Sequence, residues 1–205
     1  MSWKAAAAEV ARLDPALGAV IERAGPAKLG AKDPDGPFGA LVRAIAHQQL
    51  AGRAAAAIHG RFRALVPGPL TPEAVLALPE EAMRAAGLSG AKTASVRDLA
   101  AHALSGAVAL DSLTRLPDEE IVARLSAVRG IGRWTAEMFL LFELRRLDVW
   151  PVGDLGVREG WKLAHGLDVQ PKPAELELLG DPLRPVRSVA AWYCWQAVHI
   201  ARGEI

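Results

Sequence analysis

Signals that start and stop helices recur along the whole chain, whereas runs of alternating β-branched and aromatic residues are almost absent. That combination restricts the chain to an all-α fold. Asp14-Pro15 opens one helix and Gly25 closes it, with Leu17, Val20 and Ile21 on one face. A Pro/Gly/Lys loop over residues 25–36 leads to residues 38–50, where Phe38, Leu41, Val42, Ile45 and Ala46 recur at helical spacing before the amide pair Gln48-Gln49. The next helix, predicted over residues 51–66, is rich in alanine, which favours close helix–helix approach, and Pro67-Gly68-Pro69 breaks it. Thr71-Pro72 and Leu78-Pro79 begin two short helices, the second ended by Gly87. Further helices are expected over residues 89–104, 118–127, 155–165, 174–179 and 185–201, with a connector at 111–118.

The 205 residues suit one compact unit or two small lobes, and 51% apolar against 23% charged residues is enough to bury a core. Twenty-four Lys plus Arg against twenty-three Asp plus Glu leave a net charge of +1, so a polyanionic partner would have to be met by a local basic face. The single cysteine, Cys194, excludes an internal disulfide, a four-cysteine zinc site and a cysteine-held iron–sulfur cluster, and fits a reducing cytoplasm. His47, His59, His102, His165 and His199 show no two-His metal spacing with a carboxylate, so no side-chain metal site is expected. The N-terminus has Lys4 and alanines broken by Glu9, Arg12 and Asp14, not the apolar core of a signal peptide, and no stretch reaches membrane-span length.

Two local patterns carry chemistry. In Val128-Arg129-Gly130-Ile131-Gly132-Arg133-Trp134-Thr135, two glycines spaced by one residue precede an apolar stretch, residues 134–144, with no wide polar face. Glycines there permit positive φ and close backbone approach, and a following helix aims its N–H groups and dipole at the same point. Arg129 and Arg133 flank that anion site, which favours phosphate; a Gly-capped junction between packed helices is the plainer reading. The second pattern, Trp150-Pro151-Val152-Gly153-Asp154, is a stiff turn that places a carboxylate before a new helix. Asp154 reads as an N-cap, or as a carboxylate able to stabilise a developing cation or orient a water. Six of the eleven aromatics are tryptophans, and Trp134, Trp150, Trp161, Trp192 and Trp195 accompany Asp154 in the last third of the chain. They serve either as core or as a low-dielectric wall.

Together these residues resemble the helix-hairpin-helix/Gly-Pro-Asp superfamily of DNA base-excision glycosylases, most of all its alkylation-repair branch, DNA-3-methyladenine glycosylase II (AlkA-like). The likeness is carried by the hairpin from Leu125 to Ala136 and by Pro151-Val152-Gly153-Asp154. Ile45-Ala46-His47-Gln48-Gln49-Leu50-Ala51 resembles the family's duplex-inserting segment. Gly87-Leu88-Ser89-x-x-Lys92 resembles a second backbone-contacting turn, and Arg184-Pro185-x-Arg187-Ser188 with Trp192 and Trp195 resembles the C-terminal aromatic helix. Two features set the chain apart from parts of the family. The stretch before Phe38 is too short for the N-terminal β-rich domain of AlkA-like enzymes, so the helical fold is expected to stand alone, with one lobe over residues 38–150 and another from 1–37 and 151–205. Bifunctional glycosylase/lyases place a lysine directly after the position matching Arg133, and this chain has Trp134.

The resemblance implies a monofunctional glycosylase for 3-methyladenine- or 7-methylguanine-type bases in double-stranded DNA. It implies Asp154 as the catalytic carboxylate and Trp134, Trp192 and Trp195 as base-binding residues. It implies DNA contacts from Gln48, Gln49, Leu50, Lys92, Arg129, Gly130, Ile131, Gly132, Arg133 and Thr135, with Gln49 or Leu50 filling the gap left by a flipped base. A monovalent cation, Na+ or K+, on hairpin carbonyls near Val128 and Ile131 is implied too. A monomer in a bacterial-type, nucleoid-associated cytoplasmic setting is expected. Other readings of the same residues are a mismatch or oxidised-base glycosylase and a non-catalytic DNA-binding protein.

Overall fold

The computed structural model describes every residue except Ala51, together with all side chains but that of Asp111. The expected helix start at residue 51 and the last residue of the insertion motif therefore lie outside the described residues. The helices are α1 (Trp3–Leu13), α2 (Pro15–Ala24), α3 (Gly36–His47), α4 (Gly52–Ala64), α5 (Pro72–Ala77), α6 (Glu80–Ala85), α7 (Gly90–Leu104), α8 (Asp118–Ser126), α9 (Arg133–Phe142), α10 (Leu155–Ala164), α11 (Pro173–Gly180) and α12 (Arg187–Ala201). Short 3-10 turns occupy Leu110–Arg115 and Asp181–Leu183, and no strand occurs among the described residues. No helix among them is long and apolar enough to cross a membrane.

Two compact units result: Met1–Gly30 with Leu140–Ile205, and Ala31–Phe139. Both boundaries fall earlier than the expected 37/38 and 150/151, for reasons visible in the packing. Asp33 and Asp35 are tied to Arg43 (3.0 Å) and Arg63 (2.6 Å) of α3 and α4, which draws residues 31–37 into the second unit. Leu141 is fully buried in the core of the first unit, which takes the end of α9 with it.

In the first unit α1, α2, α10 and α12 enclose Val10, Leu17, Leu141, Trp161, Val189 and Tyr193. Helix α1, for which no helix was predicted, is capped by Ser2, whose hydroxyl accepts the Ala5 N–H (3.2 Å), and it buries Ala6, Ala7 and Val10. Its buried face is made largely of alanines, which give little hydrophobic periodicity. Helices α10 and α12 cross at Gly160, where an added Cβ would lie 2.7 Å from the Cys194 Cα and collide with the Cys194 carbonyl. The segment leading to Asp154 is fixed from several sides. The Trp150 indole N–H donates to the Leu176 carbonyl (2.8 Å), the Val149 N–H donates to the Ser188 hydroxyl (2.8 Å), and buried Arg187 pairs with Asp148 (2.7 Å).

In the second unit α3 and α7 are central, with α4 against α3 and both α5 and α6 against α7. Phe38, Leu41, Ile45, Phe62, Val75, Met83, Leu99, Ile121 and Leu125 are buried. Burial of each such side chain contributes about 1.5–3 kcal/mol. The alanines of α4 depart from expectation: Ala55 is buried, while Ala54, Ala56 and Ala57 face solvent.

Candidate functional site

In the second unit, α8 runs into the Gly-x-Gly turn, which is anchored from below. Val128 and Ile131 are buried, and the turn closes by an Ile131 N–H to Val128 carbonyl bond (3.1 Å). Gly130 adopts φ +77°, and a Cβ there would collide with the Ser95 hydroxyl on α7. Glycine is therefore required twice over, by conformation and by space. Gly132 has no atom within 4 Å of an added Cβ, so the turn is open on that side. The Ala136 N–H bonds the Gly132 carbonyl (3.1 Å), so α9 starts at the turn and directs the positive end of its dipole there, the arrangement that favours an anion. One expected donor is already used: the Arg129 N–H bonds the Asp98 carboxylate (2.7 Å), leaving the Arg129 side chain exposed.

The segment between α3 and α4 is built onto this turn. Gln48 donates its amide to the Gly130 carbonyl (2.8 Å) and reaches the hydroxyl of buried Thr135 (3.5 Å). The Lys92 ammonium donates to the carbonyls of Ala46 and Gln48, both at 2.8 Å, satisfying the end of α3. The chain then turns through Gln49 at φ +57°, an uncommon conformation for a non-glycine residue, and presents Gln49 and Leu50 to solvent, Leu50 at 40% exposure. Backbone strain of this kind, on a segment held at its base by Gln48 and Lys92, tends to cluster at functional sites.

Several of the expected DNA-contact residues have partners within the protein. Gln48 and Thr135 join the segment between α3 and α4 to the hairpin, and Lys92 clamps the end of α3; burial lowers its ammonium pKa. The Ile131 side chain is core and its N–H closes the turn, so any contact this residue makes outside the protein would come from its carbonyl. Arg133 is held by Glu119 (2.7 Å) and by buried Glu137 (2.9 Å), and its hydrogen bonds with Glu119 raise its own pKa and lower that of the carboxylate. Its charge is balanced within the protein, because acidic residues at i+4 on α9 and on α8 both face it. None of these pairings shows in local sequence patterning except the i, i+4 spacing of Arg133 and Glu137.

In the first unit, the turn before α10 forms as the Pro/Gly pattern predicts, with Val152 N–H to the Trp150 carbonyl and Asp154 N–H to the Pro151 carbonyl, both 2.9 Å. Asp154 caps α10: its Oδ1 accepts the Val157 N–H at 2.8 Å. The same oxygen accepts the indole N–H of Trp195, 41 residues further on, at 2.9 Å. Trp195 in turn stacks on Phe142 (ring centroids 5.7 Å apart, planes at 24°), which is 38% exposed and which sequence patterning did not single out. Gly156 leaves room for the indole, since a Cβ there would lie 2.7 Å from Trp195 Cδ1. The structure thus brings Trp195 to Asp154, whereas Trp192 packs edge-on against Tyr193 (4.8 Å). Trp134 stands in the first turn of α9, 50% exposed, and Trp150 and Trp161 are core.

A partly buried carboxylate framed by an aromatic pair is suited to facing a transient cation, and the hairpin is suited to an anion. The chain is similar to known proteins over most of its length. DNA-3-methyladenine glycosylase 1 of Schizosaccharomyces pombe is 38% identical over 168 residues, 80% of this chain and 74% of that protein. The structure of the S. pombe 3-methyladenine DNA glycosylase in complex with abasic DNA superposes with a TM-score of 0.82 at 34% identity, covering 93% of this chain and 94% of that one. DNA-3-methyladenine glycosidase from Bacillus halodurans gives a TM-score of 0.85 at 38% identity, with 96% and 89% covered. Residues 42–185 match the family model for the HhH-GPD superfamily base excision DNA repair proteins, and the chain belongs to that family.

Proposed function

We propose that this protein is a monofunctional DNA glycosylase that removes cationic alkylated purines, of the 3-methyladenine or 7-methylguanine type, from double-stranded DNA, acting as a monomer. The observation that carries the reading is Asp154, fixed at the N-terminus of α10 by Val157 N–H and the Trp195 indole. In hydrolysis the bond between the purine nitrogen and the sugar C1′ breaks, and its electron pair neutralises the positive charge of the departing base. The sugar is left as an oxocarbenium-like cation. Asp154 stabilises that cation, and water adds at C1′ with loss of a proton. A base already carrying positive charge is a good leaving group, so one carboxylate and a base-flipping surface suffice.

The exposed tip at Gln49 and Leu50 supports insertion into the duplex, and the turn at Gly130 to Arg133 supports a backbone phosphate contact. A monovalent cation would be held by backbone carbonyls of the same turn, such as those of Val128 and Ile131. These hard oxygen donors suit Na+ or K+, which would add positive charge beside the phosphate. Trp134 supports the monofunctional assignment, because an indole cannot form the Schiff base a lyase requires. The ammonium of Lys92 is engaged by two carbonyls, and Lys162 lies 3.8 Å from Glu159.

The test is incubation with duplexes carrying 7-methylguanine, oxidised purines or mismatches. Release of the methylated base, an intact abasic strand cleaved only by alkali or heat, and no borohydride-trapped adduct are expected, from a protein that sediments as a single copy. A trapped covalent adduct would overturn the monofunctional assignment, and preference for an oxidised or mismatched base would overturn the substrate class.

A further inference from the structure

We infer that Trp195 is a positioning residue for the Asp154 carboxylate, and that its contribution to base excision passes through the indole N–H and not through a face offered to the base. This inference rests on the glycosylase reading. Three separate features converge on the indole. Its Nε1 donates to Asp154 Oδ1 at 2.9 Å, so the oxygen already held by the α10 backbone is held a second time by a group on α12. The ring is stacked on Phe142, at 5.7 Å and 24°, which keeps it from turning away. Residue 156 is glycine where a Cβ would come within 2.7 Å of the indole Cδ1 and 3.0 Å of its Nε1. A larger residue there would displace the group that reaches the carboxylate.

The physical consequence is preorganisation. A capping aspartate held by one backbone N–H can still swing about the bond joining its carboxyl group to the chain. A second donor from another helix fixes the plane of the carboxylate before substrate arrives. Electrostatic stabilisation of a sugar cation depends on that fixed direction, and a misplacement of about 1 Å is enough for losses of up to roughly a hundredfold. The indole is well suited to the task, as a single donor with no acceptor to compete for water.

The experiment uses the full-length protein and two substitutions of one contact. Trp195→Phe keeps an aromatic ring on Phe142 and removes the N–H, and Gly156→Ala sets a methyl 2.7 Å from the indole Cδ1 and 3.1 Å from Asp154 Oδ1, which forces the two groups apart. Single-turnover release of 7-methylguanine is measured together with the Kd for a duplex containing a tetrahydrofuran abasic analogue. Thermal melting of each variant accompanies both measurements. Each variant should excise about ten- to a hundredfold more slowly. Abasic-analogue affinity should stay within about twofold, and the double variant should be no more than about twofold slower than the worse single, because both break the same bond. Any of three results overturns the inference: a Trp195→Phe rate equal to the wild type, a loss of affinity as large as the loss of rate, or losses that multiply in the double variant. A wild-type protein that releases no base overturns the functional reading and the inference with it. An Asp154→Asn protein that is inactive beside a fully active Trp195→Phe removes the inference alone.

Discussion

Replacing Asp154 by asparagine separates the two things this side chain does. Oδ1 accepts the Val157 N–H and the Trp195 N–H, and an asparagine carbonyl oxygen accepts both in the same place. Asparagine and aspartate are near-equal N-caps, so the stability cost reduces to the lost charge at the positive end of α10, about 0.3–1 kcal/mol. For a chain of this length that is a fall in Tm of roughly 1–4 °C. The sugar cation, however, loses the charge that stabilises it, and a loss of about 10²–10³-fold in the single-turnover rate is expected, the scale of removing one preorganised electrostatic partner. Asp154→Ala differs in kind. It leaves the Val157 N–H uncapped at about 1 kcal/mol and a partly buried indole N–H unsatisfied at about 1–3 kcal/mol, so stability falls as well. The assay is single-turnover release of 7-methylguanine with melting curves and abasic-analogue binding for all three proteins. An Asp154→Asn protein that excises within about tenfold of the wild type would show that Asp154 is a helix cap and nothing more.

Salt titration of duplex binding should distinguish the arginines of the hairpin: Arg129→Ala lowers the salt slope by about one ion, whereas Arg133→Ala leaves it unchanged, because Glu119 and Glu137 already balance that charge. An equal drop for both would refute the assignment. Burial lowers the pKa of His59 below its ordinary 6.5, outweighing the opposing pull of Asp33, and also lowers that of His47. The unfolded chain then binds protons that the folded one does not, so stability should hold above pH 6.5 and decline as the pH falls through the folded values. Melting between pH 7.5 and 5 measures this; His59→Phe should flatten the decline, and an equally steep one would count against the histidine. Gly160→Ala sets a methyl against the Cys194 backbone, which cannot rotate aside, and should cost about 3 kcal/mol or more, read by chemical denaturation. A loss under about 1 kcal/mol would mean that α10 and α12 separate readily.

Most helices and both chemical patterns were legible in the sequence, because the information is local. Proline at helix starts, glycine at helix ends and the Pro-Gly-Asp turn act within a few residues, so the hairpin from Val128 to Arg133 and the cap at Asp154 form where the residues demand. Helix α1 escaped notice because its buried face is largely alanine, and the alanines of α4 misled because composition does not say which face is covered. Side-chain partnership over long separations was decided by tertiary structure alone. Lys92 and Arg133 read as DNA-contacting cations in the sequence, yet one satisfies carbonyls 44 and 46 residues away and the other is balanced by carboxylates. The bond from Trp195 to Asp154 depends on α12 meeting α10 and on the space left at Gly156. A hydrogen bond needs its partners within about 3 Å, and only packing of the whole unit sets that distance.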